Sequence, residues 1–242
     1  MVRVIRPLPV GQLRLLVFDL DGTLIDSARD LCNSVNATLK HFSCEPLPDM
    51  VVASYIGDGA VMLMRRALFG PEADAVDEGF LSRAYAFFLD YYREHKLDFT
   101  YAYAGVTEAL QALRQMPDGP VRTMSVLTNK PVRPAQAICE ALGLAPHFLH
   151  IYGGNSFAVK KPDPLGLHTL MAEAGAGPEE TVMIGDSEVD VMTARNAGVW
   201  SVGCTFGLSP QSLVDSPPDV LVDAPREWMA ALNGAKDGLQ PL

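Results

Sequence analysis

Val17-Phe18-Asp19-Leu20-Asp21-Gly22-Thr23-Leu24-Ile25-Asp26-Ser27 is the stretch that decides the reading of this chain. It opens with the end of a short apolar run, Leu15 to Phe18, of the kind that makes a buried strand. Two carboxylates follow with one residue between them, then Gly-Thr. Residues two apart on an extended chain point to the same side. Asp19 and Asp21 are therefore expected in one pocket at the carboxyl end of the strand. Two uncompensated carboxylates repel, so the pocket calls for a cation, and hard oxygen donors suit Mg²⁺. The same pair can divide labour, one carboxylate as nucleophile and the other as acid and base.

Working outward, apolar strand candidates recur at Leu15–Phe18, Thr123–Leu127, Phe148–Tyr152, Thr181–Ile184, Trp200–Cys204 and Val220–Val222. Helical patterns lie between most of them: Pro134–Leu142, Leu165–Ala174 after a proline, and Val189–Ala197 running into Gly198. Alternating strands and helices imply an α/β fold, a parallel sheet with right-handed crossovers and helices on both faces. Ligands of such sheets bind beyond the carboxyl ends of the strands. Asp19, Thr128-Asn129 and Asp186 each follow a strand candidate and should converge there. From Ile25 to about Ala102 the pattern is helical only. Ala28, Leu31, Val35, Leu39 and Phe42 form one stripe, and Phe80, Leu81, Ala84, Tyr85, Phe88, Leu89 and Tyr92 form another. This segment is too long for a crossover loop and reads as an inserted helical bundle. The expected organisation is a catalytic core of residues 1–24 and 103–242 with a helical domain of residues 25–102.

The 242 residues suit such a core with a smaller insert. A net charge of −10 argues against nucleic acid or an anionic membrane as partner. Cys32, Cys44, Cys139 and Cys204 are scattered without zinc spacing and are expected as free, mostly buried thiols. His41, His95, His147, His150 and His168 show no metal-ligand spacing and read as surface or packing residues. Met1–Gln12 lacks the apolar core of a secretion signal, and no run reaches transmembrane length. The expectation is a cytoplasmic protein, monomer or homodimer, acting on a small phosphorylated metabolite.

Three further segments carry chemistry. In Val126-Leu127-Thr128-Asn129-Lys130-Pro131, a hydroxyl and backbone amides after a strand can hold phosphoryl oxygens, although Thr-Asn also caps helices. In Lys160-Lys161-Pro162-Asp163-Pro164, flanking prolines fix a lysine pair in a turn. In Val182-Met183-Ile184-Gly185-Asp186-Ser187-Glu188-Val189-Asp190, Gly185 permits a close backbone approach and Asp186 ends a strand. Asp190 then faces back along the first helical turn. In the inserted segment, Gly57-Asp58-Gly59 reads as a turn between helices or as a substrate-specificity loop. In the second reading, helix amides starting near Gly59 receive a small carboxylate. Arg65 and Arg66 lie about 10 Å further along that helix.

Taken in order, these segments resemble motifs I to IV of the haloacid dehalogenase superfamily in its phosphatase form, over residues from about 15 to 208. The resemblance implies a Rossmann-like core, and the place of the insert matches the C1 cap of that superfamily. It implies Asp19 as nucleophile and Asp21 as acid and base. It also implies Mg²⁺ held by Asp19, the Asp21 backbone carbonyl and Asp186, with Asp190 ligating directly, through water or from behind. Thr128, the Asn129 amide and Lys161 would hold the phosphoryl group, Lys161 fitting the family position before Pro162 with Lys160 as the alternative.

Within the superfamily the chain is most similar to the phosphoglycolate phosphatases. The likeness rests on Tyr55-Ile56-Gly57-Asp58-Gly59-Ala60, Thr128-Asn129-Lys130-Pro131 and Gly153-Gly154. The chain departs from that branch at Ala104 and Asn155. The implied reaction is hydrolysis of 2-phosphoglycolate. Another small ester such as a sugar phosphate, or a phosphomutase reaction, is the enzymatic alternative. A non-catalytic phosphate-binding protein is the alternative of another class, against which the intact set of Asp19, Asp21, Thr128, Lys161 and Asp186 speaks.

Overall fold

A computed structural model describes residues 1–73, 75–114 and 122–233, with the backbone of 240–241. Parts of the expected core, at 115–121, 234–239 and 242, lie outside the described residues. The strands are β1 (Arg3–Val4), β2 (Leu15–Phe18), β3 (Ile25–Asp26), β4 (Tyr101–Ala102), β5 (Thr123–Leu127), β6 (Ile151–Tyr152), β7 (Thr181–Gly185), β8 (Trp200–Cys204), β9 (Val220–Val222) and β10 (Gln240–Pro241). The helices are α1 (Ala28–His41), α2 (Asp49–Ala53), α3 (Ala60–Phe69), α4 (Glu78–His95), α5 (Val106–Arg114), α6 (Val132–Ala141), α7 (Leu165–Ala174), α8 (Glu188–Ala197), α9 (Ser212–Asp215) and α10 (Trp228–Asn233).

The main sheet runs β10-β1-β9-β8-β7-β2-β5-β6. Its strands from β9 to β6 are parallel, as alternation of strand and helix requires. β1 adds an antiparallel strand against β9, with Arg3 opposite Leu221. It is too short to register as a period in the sequence. In β2 all four residues are buried because helices cover both faces. Leu15 and Val17 pack with Leu167, Leu170 and Met183 on one side. Leu16 and Phe18 pack on the other, where the Phe18 ring meets Trp228 edge-on at 5.2 Å.

The sequence boundaries shift where backbone pairing decides them. The strand expected over Phe148–Tyr152 narrows to β6, because a 3₁₀ turn at Ala145–His147 delivers the chain to the sheet edge late. Helix α6 starts at Val132, ahead of Pro134, which falls in the first turn where no amide partner is needed. The four cysteines are free thiols, with Cys32, Cys139 and Cys204 buried. Among the described residues no helix is long and apolar enough to cross a membrane.

Between β2 and β5 the chain leaves the sheet through β3, forms α1 to α4, and returns through β4. The expectation of helices alone is corrected here. β3 and β4 pair as a two-stranded antiparallel ribbon, Ile25 opposite Ala102 and Asp26 opposite Tyr101. Two residues per strand give no periodicity to read. The return is pinned by buried Asp30 of α1, whose carboxylate accepts bonds from the amides of Phe99 and Thr100 and from the Thr100 hydroxyl at 2.7–3.1 Å. Inside the insert, Leu31, Val35 and Leu39 of α1 and Leu81, Ala84 and Phe88 of α4 are all buried, as their helical stripes predict.

Candidate active site at the carboxyl edge of the sheet

Asp19 follows directly on β2, its amide bonded to the Ile184 carbonyl at 2.8 Å. β7 is the neighbouring strand, so Asp186, directly after Gly185, arrives beside it. β5 on the other side delivers Thr128 and Asn129. The chain after Asp19 turns back at once, with Gly22 at φ +85° and its amide on the Ile25 carbonyl. A side chain at Gly22 would sit 2.2 Å from Asp186 Oδ2, so the turn demands glycine on both counts.

Asp19, Asp186 and Asp190 each offer an oxygen within 4.8 Å of the others, and all three are buried. One cation sits among them. Lys161 Nζ bonds Asp190 Oδ1 at 2.6 Å and lies 2.8 Å from Asp19 Oδ1. The second contact is an ion pair to a buried carboxylate oxygen. Burial pushes the Asp19 carboxyl up to about 6; Asp190 adds to the shift and Lys161 opposes it. Burial, then Asp190 and Asp19, also raise Asp186 well above the usual carboxylate range, against the opposing amides of Leu208 and Ser209. For Lys161, burial works against the charged form, but Asp19 and Asp190 outweigh it and its pKa rises. Three buried carboxylates against one ammonium leave an excess of negative charge, a site that fits a hard dication.

Asp186 Oδ2 accepts from the Leu208 and Ser209 amides at 2.7 and 3.1 Å. Capping of α8 falls instead to Ser187 and Asp190: Asp190 Oδ2 accepts from the Ser187 hydroxyl at 2.7 Å and from its amide at 3.2 Å. With Lys161 on Oδ1, both Asp190 oxygens are engaged. A side chain at Gly185 would strike Asp190 Cγ at 2.1 Å, so the close approach this glycine permits is to that carboxylate.

Asp21 does not join the three. Its carboxylate turns to Ser27 Oγ, 2.5 Å from Oδ1, and to Lys130 Nζ, 3.0 and 3.2 Å from Oδ1 and Oδ2. Thr128 is buried, its Oγ1 accepting from the Lys130 amide at 3.2 Å. Asn129 Nδ2 donates to the carbonyls of Gly57 and Lys161, both at 3.1 Å, tying the insert loop and the lysine turn to β5. The two lysines part company. Lys161 enters the carboxylate cluster, while Lys160 reaches outward to the Asp58 carbonyl.

A cavity of about 640 Å³, open mouth included, lies over this floor. Asp19, Asp21, Thr128, Asn129, Lys130 and Asp186 line its base, and Leu31, Ile56, Leu63, Phe88, Leu89 and Tyr92 line the insert side. Gly57 and Gly59 also reach the wall, where Gly59 ends its turn at the N-terminus of α3. Asp58 does not: its carboxylate pairs with Arg66 at 2.5 Å. Arg65 bonds the Ala73 carbonyl at 2.9 Å. Lys130, Ser27 and Tyr92, and the Leu208 and Ser209 amides, join the site through contacts that no motif announces. The lysine directly after Thr128-Asn129 was the one available signal.

A family profile described as haloacid dehalogenase-like hydrolase matches residues 16–204. A phosphoglycolate phosphatase of Chromobacterium violaceum is 38% identical over 83% of this chain and 88% of its own length. One from Neisseria meningitidis is 36% identical over 96% of both. Among solved structures, a predicted phosphoglycolate phosphatase from Haemophilus somnus superposes with a TM-score of 0.82 at 31% identity, covering 90% of this chain and 97% of that one.

Proposed function

The chain belongs to the haloacid dehalogenase-like hydrolases and is a phosphoric monoester hydrolase; from that premise we propose that it hydrolyses 2-phosphoglycolate to glycolate and phosphate, with Mg²⁺, through an aspartyl-phosphate. The observation that carries this reading is the division between Asp19, set among Asp186, Asp190 and Lys161, and Asp21, held apart by Ser27 and Lys130 on the same cavity floor. Two carboxylates in unlike surroundings suit unlike tasks.

Asp19 attacks phosphorus as the bond to the leaving oxygen breaks, and Asp21 gives that oxygen its proton. Asp21 then takes a proton from the water that cleaves the aspartyl-phosphate, which returns both carboxylates to their starting state. Thr128, the Asn129 amide and Lys161 hold the phosphoryl oxygens. Asp19, the Asp21 carbonyl and Asp186 would hold Mg²⁺, with Asp190 behind them locked to Ser187 and Lys161. The ion supplies charge neutralisation at the phosphoryl oxygens.

Residues 25–102 act as a cap over this floor, and residues 1–24 and 103–242 as the core. The 2-phosphoglycolate assignment is supported by the named relatives and by the free amide end of α3 at Gly59 facing the cavity, which suits a small carboxylate. The test is Mg²⁺-dependent phosphate release from 2-phosphoglycolate and a panel of sugar phosphates, with Asp19→Asn as control. Preference for 2-phosphoglycolate supports the substrate. Activity directed at sugars keeps the mechanism and rejects the substrate. Release from none of the esters by folded protein rejects both.

A further inference from the structure

We propose that Lys130 is a positioning residue for Asp21 and that Tyr92 of the helical insert completes its seat, so that the proton-transfer half of the site is shared between core and insert. The proposal rests on the acid-and-base reading of Asp21 given above.

Lys130 is almost wholly buried, its side chain 3% exposed, and it touches none of the three carboxylates gathered around Lys161. Its ammonium instead spans both oxygens of Asp21 at 3.0 and 3.2 Å, while Ser27 holds Oδ1 from a second direction at 2.5 Å. A carboxylate bonded at both oxygens cannot rotate about its Cβ–Cγ bond without losing a contact. The direction in which Asp21 offers or accepts a proton is therefore set by these two partners. The ammonium also lies over the ring of Tyr92, 4.7 Å from its centroid. Tyr92 sits on α4, so a buried side chain of the insert lies against the cation that holds Asp21. A buried ammonium is expensive to desolvate, and an apolar residue would fill the space beside Tyr92 at lower cost. What the apolar residue could not do is hold Asp21.

In the reaction Lys130 keeps its proton throughout. The proton that moves passes from Asp21 to the leaving oxygen as that oxygen's bond to phosphorus breaks. It is replaced from the attacking water as the Asp19–phosphorus bond breaks. The signature of a misplaced Asp21 is thus a defect that grows with the basicity of the leaving group. A p-nitrophenolate departs without help, and an alkoxide does not.

The experiment compares kcat/KM, which reports events up to aspartyl-phosphate formation, for p-nitrophenyl phosphate and for the alkyl ester that the wild type turns over fastest. Lys130→Met should lower the alkyl value on the order of 10²-fold and the aryl value by less than about 10-fold. Lys130→Arg should recover much of the loss. Tyr92→Leu should act in the same selective direction, more weakly. In an Asp21→Asn background Lys130→Met should add little. Equal losses on both esters without rescue by arginine, or an undiminished effect of Lys130→Met in the Asp21→Asn background, would overturn the proposal. Should Lys130→Met fail to fold, Tyr92→Leu decides by the same selectivity. A wild type inactive on every ester removes the hydrolase mechanism and this inference with it. An active wild type with unselective variants removes this inference alone.

Discussion

The floor and the roof of the cavity are built on opposite principles. The floor, at the ends of β2, β5 and β7, gathers carboxylates and lysines that are buried and placed by hydrogen bonds and glycine turns. The roof, from α1, α3 and α4, presents leucine and aromatic side chains, Leu31, Leu63, Phe88 and Tyr92 among them. Electrostatic placement falls off steeply with small displacements, so the floor tolerates little change. An apolar wall discriminates by fit, typically by one to three kcal/mol per methylene-sized difference, roughly. On the proposed reading the floor would carry the rate and the roof the preference.

The sharpest way to break this division is Asp19→Asn. Turnover of every ester should fall by about 10⁴-fold or more while circular dichroism stays native. A loss of under 10-fold would remove Asp19 from the chemistry. Next, Lys161→Met strands buried carboxylates without their cation. Metal-free protein should lose about 3–5 kcal/mol in urea unfolding, part of it restored by Mg²⁺. An unchanged midpoint would mean that the floor is not held by charge.

Gly22→Ala must displace Asp186, since its new carbon would lie 2.2 Å from Oδ2 at a φ of +85°. Mg²⁺ affinity by calorimetry should weaken by about 10–100-fold. The pH response has a definite sign. Asp19, pushed up to about 6 mainly by burial, ionises at a cost that is absent below its unfolded pKa near 3.8 and complete above its folded one. Asp19→Asn should thus raise the Tm of metal-free protein at pH 7.5, and the gain should shrink as pH falls through 6 toward 4. A gain independent of pH would assign the effect to packing. The smallest effect belongs at the rim. Lys160→Ala removes an outward contact to the Asp58 carbonyl and should alter stability by no more than about 0.5 kcal/mol, with kcat held within about twofold.

The floor was legible in the sequence because its parts are local. Asp19-x-Asp21 follows its own strand, Gly185-Asp186 follows another, and parallel order brings the strand ends together without further information. The stripes of α1 and α4 were legible for the same reason, since helical period is written in consecutive residues. What escaped depends on contacts between distant segments. Lys130 reads as a loop lysine until β5 is set beside β2 and delivers it to Asp21. Asp30 reads as an ordinary first-turn acid of a helix, yet it binds the chain where the insert returns. Asp58, in a stretch that reads as a turn or as a substrate loop, pairs with Arg66 of α3. The choice between Lys160 and Lys161 turns on which side chain points inward at a bend.

The ribbon of β3 and β4 bears on how the chain finds its fold. Leu15 must meet Thr123 with the whole insert between them, a distant pairing of the kind that slows folding. Once Ile25 is opposite Ala102, the chain still to be closed is residues 16–24 before the ribbon and 103–122, with α5, after it. Closure entropy depends on the length left open. Lengthening the insert therefore adds its closure cost at the ribbon, where it grows only as the logarithm of the length, and not again at the sheet.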